Sequence, residues 1–241
     1  MLYLVGTPIG NLQDFSIRAL KTLLSADIIL AEDTRSFNNF YQKVKETYAP
    51  LISKLIPNSL FINQIVLPLH DQNEFKQINP IIQLLKNGKN IALVSESGMP
   101  TFSDPGSMLV AACRKNELPI TCIPGPTAAT TALALSGLDA HQVVFLGFFP
   151  KKPQHIMKLI SNYQEVANKL KEDIILIAYE SPMRIQKTLT LIKVSFPQSK
   201  LYIARELTKE FEEFTPVADP VLIKAKGEFV VLLSLSDKIH L

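Results

Sequence analysis

The sequence predicts an α/β protein of two domains, with a parallel sheet in the first and a mixed sheet in the second. Three observations predict it. Short apolar runs rich in β-branched residues alternate with amphipathic stretches, a Pro124-Gly125-Pro126 break interrupts the pattern near mid-chain, and the last strands lack helices between them. Strand, helix, strand in succession implies parallel pairing through crossovers. With 241 residues, 47% of them hydrophobic, the chain can bury two cores.

In the first half, strands are expected at 1–5, 28–31, 90–95 and 120–123. A helix over 16–24 puts Ile17, Leu20 and Leu24 on one face, with Asp14 or Ser16 as its cap. Another over 78–85 stops at Asn87-Gly88. Pro-Gly-Pro continues neither strand nor helix, so the domains are divided as 1–120 and 121–241. The second half predicts strands at 143–149, 173–179, 201–204 and 229–235, and helices at 127–135, 154–170 and 182–194. No long helix fits between Ala204 and Phe229, which implies a hairpin and therefore a mixed sheet.

Composition excludes several classes. A net charge of +3, with Lys and Arg scattered, carries no electrostatic nucleic-acid footprint of its own. Cys113 and Cys122 have no metal-ligand spacing, so no metal is expected. The apolar start is stopped at once by Gly6-Thr7-Pro8, and no run approaches the length of a membrane span. The expectation is a reduced, cytoplasmic protein without a membrane partner.

The informative residues sit at strand ends. Five turns are rich in Gly, Pro and small polar residues: Gly6 to Asn11, Glu32 to Arg35, Ser95 to Gly106, Pro124 to Ala128 and Glu180 to Arg184. Ligands of open α/β sheets bind outside the carboxyl ends of the strands, where glycine admits a close approach. Tight-turn construction explains any one of these turns, but five at successive strand ends point to a site. Neither G-x-G-x-x-G after the first strand nor a phosphate-binding P-loop is present, which argues against dinucleotides and nucleoside triphosphates.

Taken in order, the motifs resemble the tetrapyrrole methylase superfamily of S-adenosylmethionine-dependent methyltransferases. They are LYLVGTPIGNLQDFSIRAL (2–20), ILAEDTR (29–35), HDQNE (70–74), ALVSESGMPTFSDPG (92–106), PGPTA (124–128), GFFP (147–150), YESPMR (179–184), ARELTKEFEEF (204–214) and KGEFVVLL (226–233). The similarity is greatest to the branch named for cytidine 2'-O-methylation in small-subunit (16S) ribosomal RNA. It implies two α/β domains with the methyl donor in the cleft between them, and a homodimer. By similarity the donor touches Pro8, Ile9, Gly98, Met99, Phe102, Thr127 and Ala128, with Tyr179, Ala204 and Gly227 from the second domain. Four departures stand out. The usual D-A-G-T-P-G-I-S-D-P-G reads E-S-G-M-P-T-F-S-D-P-G at 96–106, and the usual histidine before Arg184 is Met183. The stretch 44–69 is longer than typical and reads as an insertion, and 214–226 is shorter.

Methyl transfer from a sulfonium is an in-line displacement in which the protein holds and aligns the acceptor. A ribose hydroxyl is a poor nucleophile, so a positioned base is expected. Glu32, Asp33 and Glu180 are the candidates, and Arg35, Arg184 and Lys209 would hold phosphate or orient carboxylates. Each has a plainer reading beside it. Asp33 suits a helix cap, Asp104 before Pro105-Gly106 a cap or turn, and Glu206 with Lys209 a local ion pair. Met99 and Met183 suit packing, and Phe148 and Phe149 suit either core or stacking on an unpaired base. Three functions remain open: ribosomal RNA methylation on the small subunit, methylation of a small molecule such as a tetrapyrrole, and a non-catalytic binding protein that keeps the fold.

Overall fold

The computed structural model describes residues 1–55, 64–139 and 141–235. They divide into two units, Met1–Thr127 and Ala128–Leu241.

The first unit runs β1 (Leu2–Val5), α1 (Ile17–Ser25), β2 (Ile28–Ala31), α2 (Thr34–Thr47), α3 (Ala49–Leu55), β3 (Ile65–Pro68), α4 (Glu74–Lys86), β4 (Ile91–Val94), α5 (Ser107–Lys115) and β5 (Ile120–Ile123). Its sheet has the order β3-β2-β4-β1-β5, and every pairing is parallel. The two-residue alternation of a strand decides which helices each side chain meets. Ile29, Ala31, Ala92 and Val94 pack with Ala19, Leu20 and Leu23 of α1 and with Phe37 and Tyr41 of α2. Ile28, Leu30, Ile91 and Leu93 pack with Ile81, Ile82 and Leu85 of α4 and with Leu109 and Cys113 of α5. Ser16 caps α1 by accepting from the Ala19 amide at 3.0 Å, one of the two caps expected there.

One expectation is corrected. The domain boundary falls after Thr127 rather than after 120, because β5 pairs with β1 along its length and completes the first sheet. The stretch 44–69, expected to be an insertion, holds the end of α2, all of α3 and the edge strand β3, which is compatible with that expectation. Its residues 56–63 lie outside the described residues.

The second unit runs α6 (Ala128–Ser136), β6 (Gln142–Phe148), α7 (Pro153–Leu170), β7 (Ile174–Glu180), α8 (Ile185–Ser195), β8 (Lys200–Arg205), β9 (Glu213–Pro216) and β10 (Phe229–Ser234). The sheet order is β6-β7-β10-β8-β9. Only β6 and β7 are parallel; β10 lies antiparallel between β7 and β8, and β9 folds back on β8. The mixed sheet follows from that return. All six residues of β10 are buried, as a central strand covered on both faces requires. Leu176, Ala178, Val231 and Leu233 meet Ile156 and Ile160 of α7 and Ile185 and Leu189 of α8. On the opposite face α6 packs against β10, β8 and β9. Among the described residues no helix is long and apolar enough to cross a membrane.

Candidate active site

In the first sheet β1 and β4 are neighbours, yet the chain leaves β1 towards β2 and leaves β4 towards β5. This reversal marks the position where open sheets bind ligands, beyond the strands' carboxyl ends. Three of the glycine-rich turns meet there. The Thr7 amide donates to the Gly98 carbonyl at 2.8 Å, and the hydroxyls of Thr7 and Ser95 donate to the same oxygen at 3.3 and 3.0 Å. The Gly6 amide donates to the Ile123 carbonyl at 3.0 Å, and the Gly125 amide to Met99 Sδ at 3.2 Å. Pro8 and Ile9 are buried, Met99 is half-buried, and Phe102 is 37% exposed. Thr127 ends the first unit and Ala128 opens α6.

The glycines here are structural requirements. A Cβ on Gly6 would stand 2.6 Å from the Gly125 nitrogen, backbone against backbone. Gly6→Ala is therefore expected to cost about 2–3 kcal/mol, as overpacking without a yielding side chain does, read as a lowered urea midpoint at unchanged slope. Gly98 has φ +86°, and a Cβ there would lie 3.3 Å from Ile9 Cγ2. Thr101 and Ser103 both take φ +70°. Thr101 occupies a position where the resembling sequences carry glycine, and a β-branched residue is strained in this region. Thr101→Gly is expected to stabilise the fold by about 0.5–1 kcal/mol, the relieved strain exceeding the added unfolded-state entropy. An unchanged or lower midpoint would show that the Thr101 methyl, close over Gly106, outweighs the strain.

Beside these turns the ends of β2, β3 and β4 gather carboxylates. Burial and then the charges of Glu96 and Asp71 push the Glu32 carboxyl above its ordinary value, with His70 opposing. Asp104 is pushed up to about 6 by burial and by repulsion from Glu32, Glu96 and Asp71, the Ser95 hydroxyl opposing. Glu32, Asp33, Ser36, Phe37, Phe40, Ser95 and Glu96 line a small pocket. Among the described residues no group of ligating side chains could hold a metal ion.

This arrangement separates the candidate bases. Asp33 Oδ1 accepts from the amides of Arg35 and Ser36, both at 2.8 Å, and so caps α2, the plainer of its two readings. Arg35 is exposed on the first turn of that helix and makes no ion pair among the described residues. Glu32 keeps its carboxylate beside the pocket. Asp104, set aside as a cap or turn residue, is not the cap of α5; Gly106 holds that place, with no side-chain bond. No local pattern marks Asp104, because the charges that perturb it come from three different strand ends.

In the second unit Glu180 is a tie. Its side chain is fully buried and pairs with Arg184 at 2.6 Å, accepting also from the Thr188 hydroxyl and the Ser181 amide, both at 2.7 Å. Arg184 donates onward to the carbonyls of Pro150 and Phe149 at 3.1 and 3.2 Å. Both oxygens of Glu180 are engaged in holding the β7–α8 turn, so the geometry favours a structural over a catalytic use for this pair. Tyr179 is half-buried at the end of β7, and Ala204 is fully buried in β8 beside Val230. Gly227 has φ +95°, and a Cβ there would meet Glu206 Cγ at 2.6 Å. Lys209 bridges Glu206 and Glu228, each at 3.0 Å, which is the expected local pair with one more partner.

A profile of the Tetrapyrrole (Corrin/Porphyrin) Methylases matches residues 1–219. The chain belongs to the tetrapyrrole methylase family. This membership makes it an S-adenosylmethionine-dependent methyltransferase. Among curated relatives, Ribosomal RNA small subunit methyltransferase I of Hydrogenobaculum sp. is 39% identical over 246 residues, covering 99% of this chain and 97% of that protein. The protein of the same name from Thermotoga maritima is 38% identical over 215 residues, covering 88% and 86%. Among solved structures, diphthine synthase aligns at TM-score 0.68 and 13% identity, covering 99% of this chain and 91% of that one. The methyltransferase CobJ aligns at 0.60 and 18%, covering 96% and 92%. These structural likenesses show that this tetrapyrrole methylase has the family's fold.

Proposed function

We propose that this chain methylates the ribose 2'-hydroxyl of a cytidine in small-subunit ribosomal RNA, acting in the cytoplasm as a homodimer. The observation that carries the acceptor is the 39% identity to a ribosomal RNA small subunit methyltransferase over nearly the full length of both chains. The first unit's turns suit the donor. Pro8, Ile9 and Met99 offer apolar walls, and Gly98 leaves backbone bare between them. The carboxylates of Glu32, Asp71, Glu96 and Asp104 complement a cationic sulfonium. When bound, S-adenosylmethionine supplies an activated methyl group.

The chain's own residues then align the acceptor and manage one proton. The hydroxyl oxygen forms a bond to the methyl carbon as the carbon–sulfur bond breaks, and the hydroxyl proton passes to a carboxylate. Asp104 is the base we assign. It lies in the loop that joins β4 to α5, it does not cap a helix, and a pKa of about 6 leaves it mostly ionised yet basic at neutral pH. Burial raises that pKa most, and repulsion from Glu32 adds to it.

The test is methyl transfer from labelled S-adenosylmethionine to undermethylated small ribosomal subunits, followed by nuclease mapping. Label at a single cytidine ribose is the expected result. Donor binding without label on the subunits would overturn the acceptor.

A further inference from the structure

At the carboxyl end of β6 an aromatic side chain is held out into solvent. Phe148 is 58% exposed, although it ends a strand that pairs with buried β7. The pairing of β6 with β7 shifts register between Phe145 and Phe148, and Gly147 takes φ +66° at that irregularity. Such bulges re-aim the side chain that follows them. The ring is also fixed: Tyr179 meets it edge-on at 5.6 Å and 70°, and Phe145 meets Tyr179 from its own side at 5.1 Å and 69°.

The surroundings are basic and apolar. Lys151 and Lys152 follow at once and are exposed, and Lys152 opens the eighteen-residue α7 with no side-chain cap. Arg184 ties the Phe149–Pro150 backbone to the turn that carries Met183, itself 90% exposed. Glu180, the carboxylate of this turn, is buried and neutralised by Arg184. An exposed, rigid aromatic face beside lysines and an open helix N-terminus matches a base and its phosphates, since stacking takes any base and the cations take the backbone.

We infer that Phe148, braced by Tyr179 and flanked by Lys151 and Lys152, is a stacking platform for an unpaired base of the RNA substrate. This rests on the ribosomal RNA reading above.

The chain contains no tryptophan, so Phe148→Trp gives a single-tryptophan protein whose emission reports the platform directly. Titration with single-stranded oligocytidylate is expected to quench it, and loss of both lysines to reduce the salt slope of binding by about 0.7 per lysine. Absence of quenching would overturn the platform, whether or not the wild type methylates ribosomal subunits. In the methylation assay Phe148→Ala is expected to raise KM for the subunits about 10-fold, the low part of the range for one lost stack, at unchanged melting temperature and donor affinity. Label on subunits from wild type with an unchanged KM for Phe148→Ala would overturn the platform and leave the function standing. Weakened donor binding would assign the ring to the donor instead. A change in sedimentation would assign it to a second copy of the chain, and either outcome overturns the inference.

Discussion

Glu180→Ala is expected to lower folding stability by about 3 kcal/mol, at the lower end of what losing one partner of a buried ion pair costs. The side chain it removes is fully buried and accepts from Arg184, Thr188 and Ser181 at once. Truncation strands the buried Thr188 hydroxyl and the part-buried Ser181 amide and leaves a void between β7 and α8. The loss stays near the low end because Arg184 is part-exposed and keeps the Phe149 and Pro150 carbonyls as acceptors. In a chain of this size the expected fall in Tm is about 6–12 °C. Glu180→Gln, which keeps shape and two hydrogen-bonding atoms, should lose less. Methyl transfer below the melting range should survive in both. A stable, inactive Glu180→Gln protein would return this carboxylate to the catalytic list.

The fold was legible where burial is two-sided or strictly periodic. Ile28–Ala31, Ile91–Val94 and Phe229–Ser234 read as strands because each is a short apolar run buried on both faces. The antiparallel return after Ala204 was legible from a missing helix, although β9 and a 3-10 turn intervene where a direct hairpin to Phe229 was expected. What escaped was an outer edge of each sheet, β3 in the first and β9 in the second. β3 is four residues ending in proline with an alternation too short to register, and α2 is polar apart from Phe37, Tyr41 and Val44. The boundary lies on the far side of Pro124-Gly125-Pro126 because the run before that break, β5, pairs with β1 and so belongs to the first sheet, a long-range pairing that the break does not announce.

The site was legible to the extent that chemistry is written in local motifs. Gly6, Gly98 and Gly125 announced close backbone approaches, and the structure brings their turns together. The base was less legible. Asp33 and Glu180 are conspicuous in their motifs, but local hydrogen bonds occupy both. Asp104 acquires its character first from burial and then from repulsion by Glu32, Glu96 and Asp71, of which Glu32 and Asp71 lie far away in sequence, and neither burial nor that repulsion leaves a trace in spacing.

Asp104→Asn is accordingly expected to separate stability from activity. The folded carboxyl titrates at about 6, above its ordinary 3.8, so folding favours the protonated form. The stability associated with that proton is fully present below about pH 3.8 and is lost as pH rises through about 6. At neutral pH the wild type therefore carries an ionised, half-buried carboxylate among like charges. At about 1.4 kcal/mol per pH unit the gap corresponds to about 3 kcal/mol, which solvent screening at a half-buried site reduces to about 1–2. Asparagine removes the charge and should raise stability at pH 7 by that amount, with a difference from wild type that vanishes towards pH 4. Methyl transfer should move the other way. Loss of a positioned base costs about 100- to 10,000-fold, and the wild-type rise in kcat/KM through about pH 6 should disappear with it. A more stable, inactive protein with a flat pH profile is what a functional carboxylate predicts, because its raised pKa serves the reaction at the expense of the fold. A variant as active as wild type with the same pH profile would remove Asp104 as base and move the assignment to Glu32, whose carboxyl is also raised by burial and by Glu96 and Asp71.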